Sequence, residues 1–150
     1  MTNLYVLLMV LAGAAVAAQI GINAQLRAAA GSALWATNIS FAVSMLAGLA
    51  VAGVAAALGR VTFPDQALWR APWWVWIGGL GGAMYVLFAI LLTRRLGIAV
   101  LSAAGILGQL VASLVIDHYG WLGAPVQRLS ATRVLGAVLL TIGAALVRWR

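Results

Sequence analysis

The sequence predicts an all-α fold, a membrane helical bundle of five transmembrane helices that forms one domain over residues 1–150. Two observations predict this class. Of the 150 residues, 65% are hydrophobic and 7% are charged, whereas a soluble domain has about 45–50% apolar and about 25% charged residues. The apolar residues also form five continuous runs, each near the roughly 20 residues that one helical crossing needs. Membrane β-barrels instead alternate apolar and polar residues along each strand.

The five helices are expected at residues 4–25, 34–58, 73–92, 98–116 and 133–147. The first run contains Ala-Val-Ala at residues 15–17, a sequence typical of a signal-peptidase site. No basic residue precedes this long run, so we expect it to be retained as a helix. Tryptophans lie at or near the ends of the runs, where an indole ring suits the lipid–water boundary. They are Trp69, Trp73, Trp74, Trp76, Trp121 and Trp149.

Nine arginines outnumber the two acidic residues, Asp65 and Asp117, and the formal net charge is +7. The arginines occur singly or in pairs and form no basic cluster in the sequence, so nucleic acid is not an expected partner. With the N-terminus outside, five would lie at cytoplasmic helix ends: Arg27, Arg94, Arg95, Arg148 and Arg150. Four would lie at the opposite ends: Arg60, Arg70, Arg128 and Arg133.

This nearly equal division of the arginines gives almost no positive-inside bias, the feature that normally sets orientation. Two interpretations follow. Either the chain has one orientation set by a small bias, or it inserts both ways and pairs with an inverted copy of itself. An odd number of helices is compatible with the second, because duplication of such a unit produces the inverted repeats common in transporters.

The sequence offers little for catalysis or metal binding. It has no cysteine and one histidine, which excludes disulfides, thiolate nucleophiles and cysteine-based metal sites. One histidine and two aspartates are too few for a zinc or two-metal centre. We therefore expect no enzymatic activity, no metal and no cofactor.

Polar side chains inside the apolar runs are candidates for a binding cavity, because they are costly in hydrocarbon. Gln19 and Asn23 are four residues apart and share one helical face. Such amides either connect two helices by hydrogen bonds or line a shared polar cavity. Serines in these runs are expected to bond their own helix backbone. The candidate substrate-binding residues are Gln19, Asn23, Asn38, Gln109, Trp35 and Tyr85.

Glycines suggest close helix packing at two places. Small residues allow two helix backbones to approach closely. Four glycines fall within five residues of the third run, and two lie seven apart in the fifth run, a heptad spacing. Both packing within one chain and packing in a dimer fit this spacing. The residues are Gly78, Gly79, Gly81, Gly82, Gly136 and Gly143.

Four stretches of the chain then become recognisable. They are QIGINAQLR at 19–27, APWWVWIGGLGGAMYV at 71–86, RRLGIAVLSAAGILGQLVASLVIDHYGWLG at 94–123 and RVLGAVLLTIGAALV at 133–147. With these stretches the sequence resembles the YdcZ-like family of five-helix bacterial inner-membrane proteins, half-size members of the drug/metabolite transporter (DMT) superfamily. The resemblance spans the whole chain, and GQLVASLVIDHYGWLG is its most specific part.

The resemblance implies an assembly of two inverted subunits, because the family includes single genes, paired genes and fused ten-helix versions. We therefore expect an antiparallel, dual-topology homodimer of ten helices in the bacterial cytoplasmic (inner) membrane. Gly136 and Gly143 also look like the heptad glycines of the dimerisation helix in the related small multidrug resistance exporters.

One departure from those exporters bears on mechanism. They exchange protons for cationic drugs through a membrane-embedded Glu in the first helix, but this chain has no Glu, and Gln19 or Asn23 occupies the corresponding region. A neutral amide cannot release a proton, so that mechanism is not carried over. Asp117 and His118 remain as possible proton-coupling residues. Both lie at a helix end, where Asp117 is expected to pair with a nearby Arg or cap the following turn.

The function expected from residues and resemblance together is export of a small molecule by alternating access. A central, neutral polar cavity free of acids suits a small polar or anionic metabolite better than a multivalent cation. Two alternatives stay open: a small antiparallel channel, and a non-transporting accessory membrane subunit. The expected partners are a second, inverted copy of the chain, the lipid bilayer and the unidentified substrate.

Overall fold

The computed structural model describes residues 2–62 and 64–149, so Arg150 of the arginine set lies outside the described residues. Every regular element in this part of the chain is helical, which confirms the all-α class. The α-helices are α1 (Thr2–Ala30), α2 (Ala33–Ala57), α3 (Gly78–Tyr119) and α4 (Ala131–Arg148). Short 3-10 helices cover Gln66–Arg70, Trp73–Ile77 and Trp121–Gly123.

The described residues form four helices long and apolar enough to cross a membrane, not the five expected from the sequence. The difference lies in α3, whose 42 residues join the predicted runs 73–92 and 98–116. Gly97 interrupts this helix with φ 76° and ψ 162°, a backbone conformation open essentially to glycine alone. One non-helical residue, and no longer loop, therefore separates the two predicted runs.

The other helix bounds differ from expectation by a few residues. The helix predicted to end at residue 25 continues to Ala30, since residues 26–30, LRAAA, are strong helix formers. It stops before Gly31, which has φ 69°. The Trp73–Ile77 segment, predicted as the start of the third helix, is a 3-10 turn that leads into α3.

The apolar side chains of these helices are largely exposed at the protein surface. Leu7 is 54% exposed, Leu46 63% and Leu139 59%. Exposure of so much apolar surface to water would be unfavourable, whereas lipid hydrocarbon solvates it. A helix also satisfies its own backbone hydrogen bonds within hydrocarbon. The fold is therefore that of a multi-pass membrane protein.

The chain divides into two compact units, one of which runs Ala18–Leu91. Its buried centre is Ala33 and Ala36 of α2 with Ile90 of α3, against which Leu26 of α1 packs. The small alanine side chains let the neighbouring helix backbones come close. The second unit combines the first part of α1, up to Ala17, with the chain from Leu92 onward. The single domain predicted from the sequence stays a prediction.

Candidate functional site

The most polar buried face of the Ala18–Leu91 unit belongs to α1. Gln19, Asn23 and Arg27 follow one another at intervals of four residues, which places them on a single face of the helix. We call these three residues the α1 stripe. It faces the part of the unit where α2 and the first half of α3 contribute buried residues.

Asn23 is the most deeply buried member of the α1 stripe, with 4% of its surface exposed. Within residues 2–62 and 64–149, no hydrogen-bond partner is present for its carboxamide. Its oxygen and nitrogen are not among the fully buried polar atoms without a partner, so the amide keeps some access from outside the protein. Such an amide, with two donors and an acceptor, is chemically suited to receive a polar ligand.

The two other members of the stripe bind neighbouring helices. Gln19 donates from Nε2 to the Ser40 hydroxyl of α2 at 3.5 Å. Arg27, half-buried, donates from Nη1 to the Ile90 carbonyl of α3 at 3.1 Å. These contacts hold α1 against both neighbours on either side of Asn23.

Arg27 contributes a positive charge without a countercharge. No carboxylate of the described residues lies within ion-pair distance of its guanidinium. A half-buried guanidinium one helical turn from the Asn23 amide makes this face attractive to anionic groups. Sequence reasoning assigned Arg27 to membrane orientation alone. Its four-residue interval from Asn23 was the signal that could have placed it in the stripe.

The other candidates in this unit have different environments. Asn38 is exposed and donates to the Leu34 carbonyl of its own helix at 3.0 Å, and Trp35 is 65% exposed. Tyr85 is half-buried on α3. The structure thus places Asn38 and Trp35 at the surface of the unit, away from its buried centre. A substrate role for Trp35 and Tyr85 stays a prediction, and so does that of Asn38, although its exposure and its bond to its own helix favour a structural role.

Serine and threonine hydroxyls in α2 largely bond their own helix. Thr37 donates to the Ala33 carbonyl at 2.8 Å and Ser44 to the Ser40 carbonyl at 3.0 Å, as the sequence analysis expected for the serines. Ser40 differs, since its hydroxyl also accepts from Gln19. In the second unit, the Ser102 hydroxyl is buried without a partner among the described residues.

The candidates of the second unit lie on α3, α4 and the segment between them. Gln109 is exposed on α3. Gly136 and Gly143 have open space around the position of an added Cβ atom, so nothing within the described residues packs against either glycine there. In the first unit, Gly78, Gly79 and Gly81 are also open, while a Cβ on Gly82 would lie 3.8 Å from Phe41 Cζ.

Asp117 and His118, the possible proton-coupling residues, hold the segment that follows α3. The Asp117 carboxylate pairs with Arg133 of α4 at 3.5 Å. The Asp117 carbonyl accepts from the Gln127 amide at 2.8 Å, and His118 Nδ1 accepts from the Leu129 amide at 3.2 Å. Both residues therefore have a structural task at this helix end. A role in proton coupling stays a prediction.

Comparison with known proteins identifies one matching family. The family model described as "Putative inner membrane exporter, YdcZ" matches residues 4–146, a range that begins within α1 and ends within α4. No curated protein and no solved structure matches the chain.

Proposed function

Since the chain belongs to the YdcZ inner membrane exporter family, we propose that it exports a small polar or anionic metabolite and binds it at the α1 stripe. One observation supports this site above others: Asn23 as a whole is 4% exposed, and its carboxamide has no hydrogen-bond partner among the described residues, yet its polar atoms are not sealed from solvent. An accessible amide on a largely buried residue has hydrogen-bonding capacity that a polar ligand can use.

The chemistry of the α1 stripe defines what it would bind. The Gln19 and Asn23 amides recognise hydroxyl, amide or carboxylate groups by hydrogen bonds. The Arg27 guanidinium adds a fixed positive charge that favours a carboxylate and repels a cation. A quaternary ammonium compound would find no countercharge on this face.

Five membrane crossings follow if α3 crosses twice. Its 42 residues are about twice the length that one crossing needs, and the break at Gly97 divides them into segments 78–96 and 98–119. An odd number of crossings places the two ends of the chain on opposite sides of the membrane. A second copy inserted the other way then forms a ten-helix inverted homodimer.

Alternating access is the mechanism that such a dimer would use. Two identical inverted subunits make the inward-open and outward-open states equivalent, so that one structure supplies both. Rocking of the subunits would expose the α1 stripe first to one side and then to the other. The substrate would move without a proton-releasing Glu, which this chain lacks.

The test joins ligand binding to flux. Purified protein is screened by thermal shift against small carboxylates, amides, sugars and tetraphenylphosphonium, because a bound ligand raises the unfolding temperature. Compounds that stabilise the protein are then measured for saturable counterflow in proteoliposomes. We expect polar or anionic compounds to stabilise the protein and show counterflow. Counterflow of tetraphenylphosphonium alone, or of no compound, contradicts the proposal.

Two asparagines provide the matched control. Asn23→Ala should weaken binding of the stabilising compound about tenfold or more, the effect of about 1.4 kcal/mol. Asn38→Ala should leave binding unchanged, since Asn38 is exposed and bonds its own helix. Because the Asn23 amide has no partner among the described residues, its removal breaks no hydrogen bond there, and thermal unfolding without ligand checks that both variants fold. Equal affinity in the two variants would show that the α1 stripe is not the site.

A further inference from the structure

A pocket opens in the second unit beside the break in α3. Its volume is about 510 Å³, and residues 93–100 of α3 line it together with Val147 and Arg148 of α4. Three of the lining residues are arginines: Arg94, Arg95 and Arg148. We call it the arginine pocket. It lies outside the α1 stripe, whose residues all belong to the other unit.

The arginines reach the pocket because two helices end there. Arg94 and Arg95 precede Gly97, where the regular backbone of α3 is interrupted. Arg148 is the last residue of α4. The positive φ at Gly97 is required to end one helical segment and begin the next within a single residue. Two arginines before the break in α3 and one at the end of α4 therefore line the same pocket.

The arginine pocket carries a positive charge that no lining residue neutralises. None of the residues that line it is acidic, and guanidinium groups stay protonated at every physiological pH. All three arginines are exposed, so their donors can be reached from outside the protein. Planar guanidinium groups match the oxygens of phosphate in paired hydrogen bonds.

The position of the pocket at helix ends indicates where its ligand comes from. Membrane helices end at the level of the lipid headgroups, where anionic phospholipids carry their phosphates. Basic pockets between helices at this level are suited to such headgroups. We infer that the arginine pocket is a phosphate-binding site, occupied by the headgroup of an anionic phospholipid. Free inorganic phosphate offers the same chemistry from solution.

The experiment compares lipids on the purified, full-length protein in detergent. Native mass spectrometry measures binding of phosphatidylglycerol, phosphatidylcholine and inorganic phosphate in separate titrations. The unchanged protein should bind phosphatidylglycerol at least about tenfold more tightly than phosphatidylcholine. Equal affinity for the two lipids together with no saturable binding of inorganic phosphate overturns the inference. Saturable binding of inorganic phosphate without preference for phosphatidylglycerol keeps the phosphate site and identifies the soluble anion as its ligand.

A charge-matched pair of triple variants locates the site. The first triple variant combines Arg94→Gln, Arg95→Gln and Arg148→Gln. It should bind phosphatidylglycerol about 100-fold more weakly, because each arginine contributes a factor of roughly ten or less to the affinity. Arg60→Gln with Arg70→Gln and Arg128→Gln removes the same charge from residues that do not line the pocket, and should leave binding nearly unchanged. Equal losses in both triples mean that net charge alone attracts the lipid.

Single substitutions keep the test informative if a triple variant does not fold. Arg94→Gln and Arg148→Gln lie on different helices and should each weaken binding, whereas Arg60→Gln and Arg128→Gln should not. An unchanged affinity in both pocket variants overturns the inference. Because these measurements involve no transport, their outcome is independent of the function proposed for the α1 stripe.

Discussion

Asn23 and Asn38 show how the same side chain acquires different chemistry from its surroundings. The first is 4% exposed and without a protein partner among the described residues. The second is exposed and bonded to its own helix backbone at 3.0 Å. An amide on a largely buried residue has less water to bond than an exposed one, so a polar ligand that reaches it displaces less water. This contrast between the two asparagines is the reason why the proposed site includes Asn23 and not Asn38.

Gly97 carries the first prediction at this scale. Its φ of 76° and ψ of 162° lie where a residue with a Cβ atom is strained, so Gly97→Ala should destabilise the protein by about 1–3 kcal/mol. The cost comes from the backbone, because an added Cβ at this position would meet nothing within 4 Å. Thermal unfolding in detergent, followed by size-exclusion chromatography, measures the change.

Gly108→Ala is the control for Gly97→Ala. Gly108 lies in the helical part of α3 and an added Cβ there is also free of contacts. Alanine in a helix interior is about 1 kcal/mol more favourable than glycine, so this variant should be at least as stable as the unchanged protein. If both variants unfold at the same temperature, the backbone at residue 97 is not under the constraint described.

At the scale of elements, α4 has a capped N-terminus and a face of small residues against which nothing in the described chain packs. Ser130 caps its N-terminus by accepting from the Arg133 amide at 3.3 Å, and Arg133 pairs with Asp117. The space next to Gly136 and Gly143 is open in the single chain. A helix partner from a second subunit would find room for close approach there.

Gly143→Leu should therefore separate folding from dimer formation. A Cβ atom added at residue 143 meets nothing within 4 Å in the described part of the single chain, so we expect the subunit to fold. In the dimer the added bulk would hold two α4 helices apart, and we expect the dissociation constant in liposomes to rise about tenfold or more, or about 1.4 kcal/mol. Energy transfer between labelled subunits measures it. Gly53→Leu, on α2 and equally open, is the control, and equal dimer affinity in the two variants would exclude an α4 interface.

At the scale of the whole molecule, the division of the arginines bears on orientation. If α3 crosses the membrane twice, the sequence divides its arginines five to four between the two sides, which leaves almost no bias for insertion in one direction. Because the chain has no cysteine, chemical labelling of a single introduced cysteine reports the orientation of the protein in the membrane. The exposed Thr62 follows α2 and Ser32 precedes it, so the two positions mark opposite ends of one helix.

Dual topology predicts the same labelling at both positions. In intact cells, an impermeant maleimide should label about half of the Thr62→Cys molecules and about half of the Ser32→Cys molecules, since neither orientation is favoured. Quantification against full labelling after membrane permeabilisation gives the fraction. Complete labelling at one position with none at the other demonstrates a single orientation and rules out the inverted homodimer.

The membrane class and the family were determined by the sequence alone. Hydrocarbon is a nearly uniform solvent, so a run of about 20 apolar residues is enough to specify a crossing helix without reference to its neighbours. The same local rule placed α1, α2 and α4 within a few residues of their observed bounds. It also located the two halves of α3, but not the single-residue break between them, because the sign of φ at one glycine depends on the helices that meet there.

The site was decided by the tertiary structure. Spacing put Gln19 and Asn23 on one face, but only the packing of α2 and α3 against α1 buries Asn23 and leaves Asn38 exposed. In the same way, helix packing brings Arg27 into contact with the Ile90 carbonyl. It also places Arg148 in the same pocket as Arg94. Burial and convergence join residues that are far apart in the chain, and hydropathy and periodicity report only on residues that are near each other.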